Sequence, residues 1–298
     1  MHDKIKPNTD DLPSKKNAIQ LSIATAGFLT LVKVGFGLAT HSMSILASAT
    51  DSLMDVLVST VNYISLKEAH KPADDDHTYG HGKIESLAGL FQSVFISASG
   101  FYLIYESVTR LFHPTPITHI QTAIWVMAIS IVATFFLLRR LRAVASETRS
   151  MIVGTESLHF ATDLATNLGV ILALVLVYAT GFVFWDLVIA IVIAVYILKQ
   201  SFQIFRIAID ELVDRALPEE VQEEIRQTIT NFDKRILGFH NLRTRKMGER
   251  KFIDFHVELD RSLSFQKAHD LTEDLIEALE AKFPESDVNV HFDPEGGR

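Results

Sequence analysis

The 298-residue sequence contains no cysteine, which excludes both a disulfide framework and a thiolate metal site. It also lacks net positive charge. Against 36 acidic residues stand 28 basic ones, a formal balance of −8 that argues against nucleic acid as a partner. No low-complexity segment and no strong internal repeat is present. The opening residues, MHDKIKPNTDDLPSKK, hold no apolar run of the signal-peptide kind, so membrane insertion is expected to use internal segments. Charge is unevenly spread. From Ile209 onward 21 acidic residues face 13 basic ones, which accounts for the whole imbalance and leaves the first two-thirds nearly neutral. A neutral apolar body with an acidic tail is the pattern of a membrane protein with a cytosolic domain.

Long apolar stretches fill that body. A helix needs about 20 mostly apolar residues to cross the hydrocarbon core. Six segments qualify or come close: Ala18–Ala39, Ser44–Leu66, Ser86–Leu111, Thr122–Leu138, Leu158–Ala179 and Phe182–Leu198. A soluble bundle would show a polar face on each helix, and AIWVMAISIVATFFLL and DLVIAIVIAVYILK show none. Lys4, Lys6, Lys15 and Lys16 lie in the N-terminal tail. Lys67, Lys71 and Lys83 follow in the second connection, and Arg139, Arg140, Arg142 and Arg149 in the fourth. The HSMS turn and the turn at Gly181 have no Lys or Arg, and the third connection has only Arg110 near its start. Positive charge stays in the cytoplasm, so both termini are expected inside.

After Ile209 the periodicity changes. Pro218–Phe232 reads as an amphipathic helix with Pro and Glu in its first turn. Asn241–Met247 and Phe252–Leu259 read as strands, Ser264–Phe283 as a helix and Val288–His291 as a third strand. The expected fold is a polytopic α-helical membrane protein with six transmembrane helices and a C-terminal α+β domain of order αββαβ. Its boundaries are a transport domain at 1–208 and a cytosolic domain at 209–298.

The second span contains Asp51-Ser-Leu-Met-Asp55 and the fifth His159-Phe-Ala-Thr-Asp163. Residues four apart share one helix face, one turn apart. Two such faces set against each other converge Asp51, Asp55, His159 and Asp163, a workable tetrahedral site for a divalent cation. A membrane acid can also serve as a structural hydrogen-bonding group. Each central Asp, however, costs about 2.5–3.5 kcal/mol on insertion scales, and three need compensation by a cation or by protons. Metal and protons then compete for the same groups, which with alternating access suffices for antiport. In the second connection Asp74, His77 and His81 lie within eight residues and can close around a metal, with glycines easing the turn. Asp75 and Asp76 are alternative carboxylates there.

The paired D-x-x-x-D and H-x-x-x-D faces, the six spans and the αββαβ tail resemble the cation diffusion facilitator family. The ADDDHTYGHGKIES stretch is similar to its bacterial zinc and ferrous-iron efflux branch, and the likeness covers nearly the whole chain after about the first fifteen residues. That resemblance implies a homodimeric, proton-coupled exporter in the cell inner membrane with a metallochaperone-like tail and no enzymatic activity. It implies Zn²⁺ or Fe²⁺ as substrate and as structural or regulatory ion, with no organic cofactor. It places a cytosolic-face site at Asp74, His77 and His81. It also implies a two-metal cluster at the dimer contact from His240, His256, His291 and Asp293, with His269 nearby, and an ion pair between Lys83 and Asp214 at that contact. Phe292 departs from the branch, where a polar residue is common, and weakens any claim to an extra ligand there.

Expectations extend to residues outside these clusters. Lys33 inside the first span is expected to snorkel or pair with an acid rather than ligate. Asn167 stands one turn past Asp163, where it can tune the site. His2, His70 and His113 lie near ends or loops, and His41 and His119 border the outer face. His and Asp ligands disfavour Cu(I) but admit Zn²⁺, Fe²⁺, Co²⁺, Mn²⁺ and Cd²⁺. Two competing classes are a non-transporting membrane sensor or scaffold, and an intramembrane metalloenzyme. The second would require an open coordination position beside a general acid or base.

Overall fold

The computed structural model describes residues 11–40, 43–112, 120–182 and 184–296. Lys4, Lys6 and His2, with His41, His113 and His119, lie outside the described residues. The chain divides into two compact units, Thr9–Ile209 and one built on Asp210–Arg298.

The first unit consists of α1 (Leu12–Thr40), α2 (Met43–Ala69), α3 (Lys83–Phe112), α4 (Ile120–Thr148), α5 (Met151–Thr180) and α6 (Phe184–Leu212). α6 continues across the boundary. Each is 27–30 residues long, about 40–45 Å at the helical rise, enough to cross hydrocarbon and headgroup regions together. Among the described residues three stretches are apolar and long enough to cross a membrane by composition: Leu12–Ala39, Lys83–Thr109 and Leu187–Leu212. α2 has Asp51 and Asp55 near its middle, which lowers its hydropathy.

The helices turn large apolar side chains outward and polar ones inward. Leu31, Phe91, Phe101, Tyr105, Trp125, Phe136 and Val192 are exposed, while Ser22, Ser59, Asn62, Gln92, Ser93, Ser130 and Glu156 are buried. Water would reverse that distribution. In lipid, apolar exterior groups cost nothing and polar groups must find partners inside the protein. A smaller apolar core of Ile19, Leu66, Leu137, Leu141, Val144, Ile152 and Phe160 holds α1, α2, α4 and α5 together.

The second unit contains α7 (Glu219–Phe232), β1 (Ile236–Met247), β2 (Arg250–Leu259), α8 (Phe265–Lys282) and β3 (Ser286–Pro294). The sheet order is β1-β2-β3, β1 and β2 antiparallel, β2 and β3 parallel. A parallel neighbour needs a crossover, which α8 supplies. Along β2 the period of two sends Ile253, Phe255, Val257 and Leu259 into the core beneath the helices, leaving Asp254, His256 and Glu258 on the other face. Ile225 and Ile229 of α7 and Leu271, Leu275 and Leu279 of α8 complete that core at helical spacing. Ser264 starts α8, its hydroxyl accepting from the Lys267 amide.

β1 begins five residues before the Asn241 start expected from sequence. Asn241 has φ of 56°, and the register shifts between His240 and Arg243 and again between Ile236 and Gly238. Such bulges break the alternation by which a strand is recognised. His240 consequently lies inside the strand, paired with His256, not ahead of it.

Leu275 is fully buried in this core. Leu275→Ala is expected to destabilise the tail by about 2–5 kcal/mol, measured by urea unfolding of the separately produced 210–298 segment.

Candidate metal centres

Three acid and histidine clusters are present among the described residues: Asp55–His159–Asp163, Asp74–His77–His81 and His240–His256–Asp293.

The first joins α2 to α5. His159 Nε2 lies 3.0 Å from Asp55 Oδ1 and 3.8 Å from Asp163 Oδ2. Tetrahedral ligands at 2.0–2.2 Å from an ion are about 3.4 Å from one another, so these atoms stand close to the separation a bound divalent cation requires. The imidazole is 7% exposed and is packed edge-on against Phe160 at 5.3 Å and near Phe95 of α3 at 6.3 Å. Asp51, one turn earlier on α2, is exposed and stands outside this group. Asn167 is half-buried on α5 and joins no cluster. Lys33 of α1 is half-buried. It donates to the Ser52 hydroxyl at 2.7 Å and the Ser48 carbonyl at 3.3 Å, beside the two α2 aspartates.

Two further carboxylates escaped the sequence reading. Glu156, fully buried on α5, accepts from the Ser59 hydroxyl, from Asn62 Nδ2 at 2.5 Å and from Gln92 Nε2 at 3.4 Å. Glu85, in the first turn of α3, accepts from the Ser150 hydroxyl and from the Ile152 amide at 3.3 Å, capping the start of α5 from another helix. In a one-dimensional reading both look like ordinary acids near the start of a helix. The available signal was spacing: Glu156 lies three residues before His159, on the same side of α5.

The second cluster is folded by Asp74. Its Oδ1 accepts from the amides of Asp76 at 3.1 Å and His77 at 2.6 Å, and lies 3.2 Å from His77 Nδ1. Oδ2 is 3.4 Å from His81 Nε2. Of the three consecutive aspartates, Asp74 is the one in the cluster. The chain turns back through Gly80, whose φ of 89° suits a residue without Cβ. The His77 amide, then its side chain, hold the Asp74 carboxyl below the usual carboxylate range. His81 Nδ1 is buried without a hydrogen-bond partner, an arrangement that fits a metal donor.

In the tail, strand pairing aligns His240, His256 and His291 in one row across β1, β2 and β3. Neighbouring rings are 5.1 and 4.8 Å apart. Asp293 reaches back over the row. Its Oδ2 lies 3.1 Å from His256 Nδ1 and 3.5 Å from His240 Nε2, and its Oδ1 3.3 Å from His291 Nε2. The His256 hydrogen bond, then the neighbouring imidazoles, hold the Asp293 carboxyl below its ordinary value. Stability from this ionisation is therefore present above the unfolded carboxylate pKa near 3.9 and is lost as pH falls through the lowered one. His240 Nδ1 lies 3.2 Å from Glu258 Oε1 but is misaligned and keeps no hydrogen bond. Phe292 packs against the core on the opposite side of β3 from the row, and its ring lies 5.9 Å from that of Phe265. His269 is exposed on α8 and joins none of the clusters. Lys83 opens α3, and Asp214, at φ 57°, accepts from Arg245 at 3.3 Å.

Residues 19–213 match the cation efflux transmembrane domain, and residues 217–295 match the cytoplasmic domain of cation efflux proteins. The cation-efflux pump FieF of Shewanella oneidensis is 40% identical over 279 residues, 94% of either chain. The protein of that name from Pectobacterium atrosepticum is 39% identical, covering 91% of this chain and 90% of its own. The one from Escherichia coli strain K12 is 37% identical at the same coverage of 91% and 90%. Matched over nearly its whole length, with a helical membrane domain followed by an α/β cytoplasmic domain, the chain belongs to the cation efflux, or cation diffusion facilitator, family.

Proposed function

We propose that this protein exports Zn²⁺ or Fe²⁺ from the cytoplasm in exchange for protons. Its transport domain, 1–208, would cross the inner membrane six times with both termini inside, and 209–298 would serve as a metal-binding dimerisation domain. The observation carrying this reading is the convergence of Asp55, His159 and Asp163 between α2 and α5, where one ligand atom from each lies within 4.8 Å of the others. Asp51, about 6 Å along α2 from Asp55 at the helical rise, is the fourth ligand. Its exposed carboxylate would be drawn onto the ion when the site fills, with α2 held in place.

The chemistry follows from charge. Three aspartates and a divalent ion leave a residual charge of −1. Without the ion, mutual repulsion in low dielectric favours protons on the same oxygens. An ion arriving from the cytoplasm displaces those protons, and protons from outside displace the ion. A donor set of one imidazole with carboxylates suits Zn²⁺ and admits Fe²⁺, Co²⁺, Mn²⁺ and Cd²⁺. The relatives named cation-efflux pump FieF support an efflux direction.

The loop cluster of Asp74, His77 and His81 serves as a cytosolic-face site. In the tail, His240, His256, His291 and Asp293 hold metal at a contact between two copies, His269 standing nearby. Lys83 and Asp214 pair at the same contact, Asp214 exchanging its present Arg245 partner. Metal between two acidic tails screens their repulsion and makes dimer strength depend on cytosolic metal. A membrane-anchored sensor without transport is the alternative, but an anchor gains nothing from three acids inside its helices.

Reconstituted into liposomes under an imposed pH gradient, the protein is expected to drive Zn²⁺ flux that Asp163→Ala abolishes. Absence of flux for Zn²⁺, Fe²⁺, Cd²⁺ and Mn²⁺ from folded dimer would favour the sensor. His256→Ala is expected to lower bound Zn²⁺ per chain and to weaken Zn²⁺-dependent dimerisation, read by metal analysis and light scattering, while Asp163-dependent flux persists.

A further inference from the structure

The two halves of the membrane centre lie on different helices, so the centre exists only at one register of α2 against α5. The contact of Asp55 with His159 at 3.0 Å cannot set that register alone, because a site that releases its cargo must lose the stabilisation of that contact in part of its cycle. A second polar link joins the same helices one turn away. Ser59 lies four residues after Asp55 and Glu156 three before His159, and the Ser59 hydroxyl donates to the Glu156 carboxylate. Asn62 adds a second α2 donor to Glu156 at 2.5 Å and also donates to Gln92 Oε1 of α3 at 2.9 Å. Gln92 Nε2 approaches Glu156 at 3.4 Å.

Ser59, Asn62, Gln92 and Glu156 are all 3% exposed or less. Each contact to Glu156 comes from a donor, the complement that suits a carboxylate, which accepts only. Amide and hydroxyl donors turned toward it leave no place for a cation, so this cluster is not another metal site. Loss of one partner leaves buried donors unpaired, which makes the arrangement stiff toward sliding. A one-turn slip of α2 along α5 moves Asp55 about 5.4 Å from its place beside His159, too far for both to hold one ion.

We infer that Glu156 is a positioning residue for transport: with Ser59, Asn62 and Gln92 it fixes α2, α3 and α5 in the register that assembles Asp55, His159 and Asp163 into one cation site. It touches neither the cargo nor the reacting protons. Removing it loosens the geometry of the ligands without removing a ligand. The inference rests on the transporter reading for its flux readout, though not for its binding readout.

The test compares native chain, Glu156→Gln, Glu156→Ala, Ser59→Ala, Gln92→Ala and the double variant Ser59→Ala/Glu156→Gln. Each is purified as full-length protein and checked for folding by size exclusion. Three quantities are read: the KM and the maximal rate of Zn²⁺ flux, and the component of equilibrium Zn²⁺ binding that Asp163→Ala removes. Glu156→Gln and Glu156→Ala are expected to raise KM and weaken that binding about tenfold, as loss of groups supporting metal ligands does, with maximal rate changed far less. The double variant is expected to be no worse than Glu156→Gln, because both changes break one link. Native KM and native binding in folded Glu156 variants overturn the inference, as does full additivity in the double variant. Should the Glu156 variants not fold, unchanged KM and binding in both Ser59→Ala and Gln92→Ala overturn it equally. A native chain that binds Zn²⁺ but carries none would defeat the transport reading, while the binding comparison would still decide the role of Glu156.

Discussion

The membrane unit depends on the meeting of an imidazole and a carboxylate in a place where neither is at home. His159 is almost wholly removed from the surface, and Asp55 lies 3.0 Å from its Nε2. Burying either group alone in hydrocarbon would be costly. Facing each other they share that burden, and they do so only because α2 and α5 lie side by side. The rest of the unit serves this pairing. Apolar side chains face outward, a compact apolar core joins α1, α2, α4 and α5, and buried serines return their hydroxyls to carbonyls one turn back, as Ser22 and Ser130 do.

Polar links also tie α3 into the bundle at several levels. Glu85 caps the start of α5 through Ser150 and Ile152, and Gln92 reaches the Glu156 and Asn62 pair seven residues later, two turns along the same face. On its other side Ser97 meets Ser201 of α6 at 2.9 Å, while Ser201 donates to the Ser93 carbonyl at 2.5 Å. α3 follows directly on the loop of Asp74, His77 and His81. Its first amides donate to that loop, Ile84 to His81 at 3.0 Å and Glu85 to Gly82 at 3.1 Å. The loop and the start of the helix that carries His159 are thereby joined through Glu85.

The pairs Asp51/Asp55 and His159/Asp163 were legible because helical spacing is a property of sequence, and two polar residues four apart in apolar surroundings stand out. That Asp55 and not Asp51 faces His159 was not legible, since the rotation of one helix against another is set by packing along its whole length. Glu156 was hidden because its partners Ser59, Asn62 and Gln92 lie far away in sequence and look unremarkable there. In the tail, the helices and the cores of the strands followed from periodicity. The start of β1 did not, because Gly238 and Asn241 interrupt its alternation with bulges. Nor could the parallel placement of β3 beside β2 be read from β3 itself, as it depends on the crossover through α8.

The row of His240, His256 and His291 has a mechanical consequence. The three residues belong to strands joined by a hairpin on one side and by a whole helix on the other, and their rings span the sheet at right angles to the strands. An ion bound by that row with Asp293 would be a crosspiece, restraining all three strands at once and closing loops of very different length. Its binding free energy would add to folding by mass action, about 2.7 kcal/mol when the free ion stands at a hundred times its dissociation constant. The tail would then stiffen and soften with the metal around it, its own rigidity acting as the gauge.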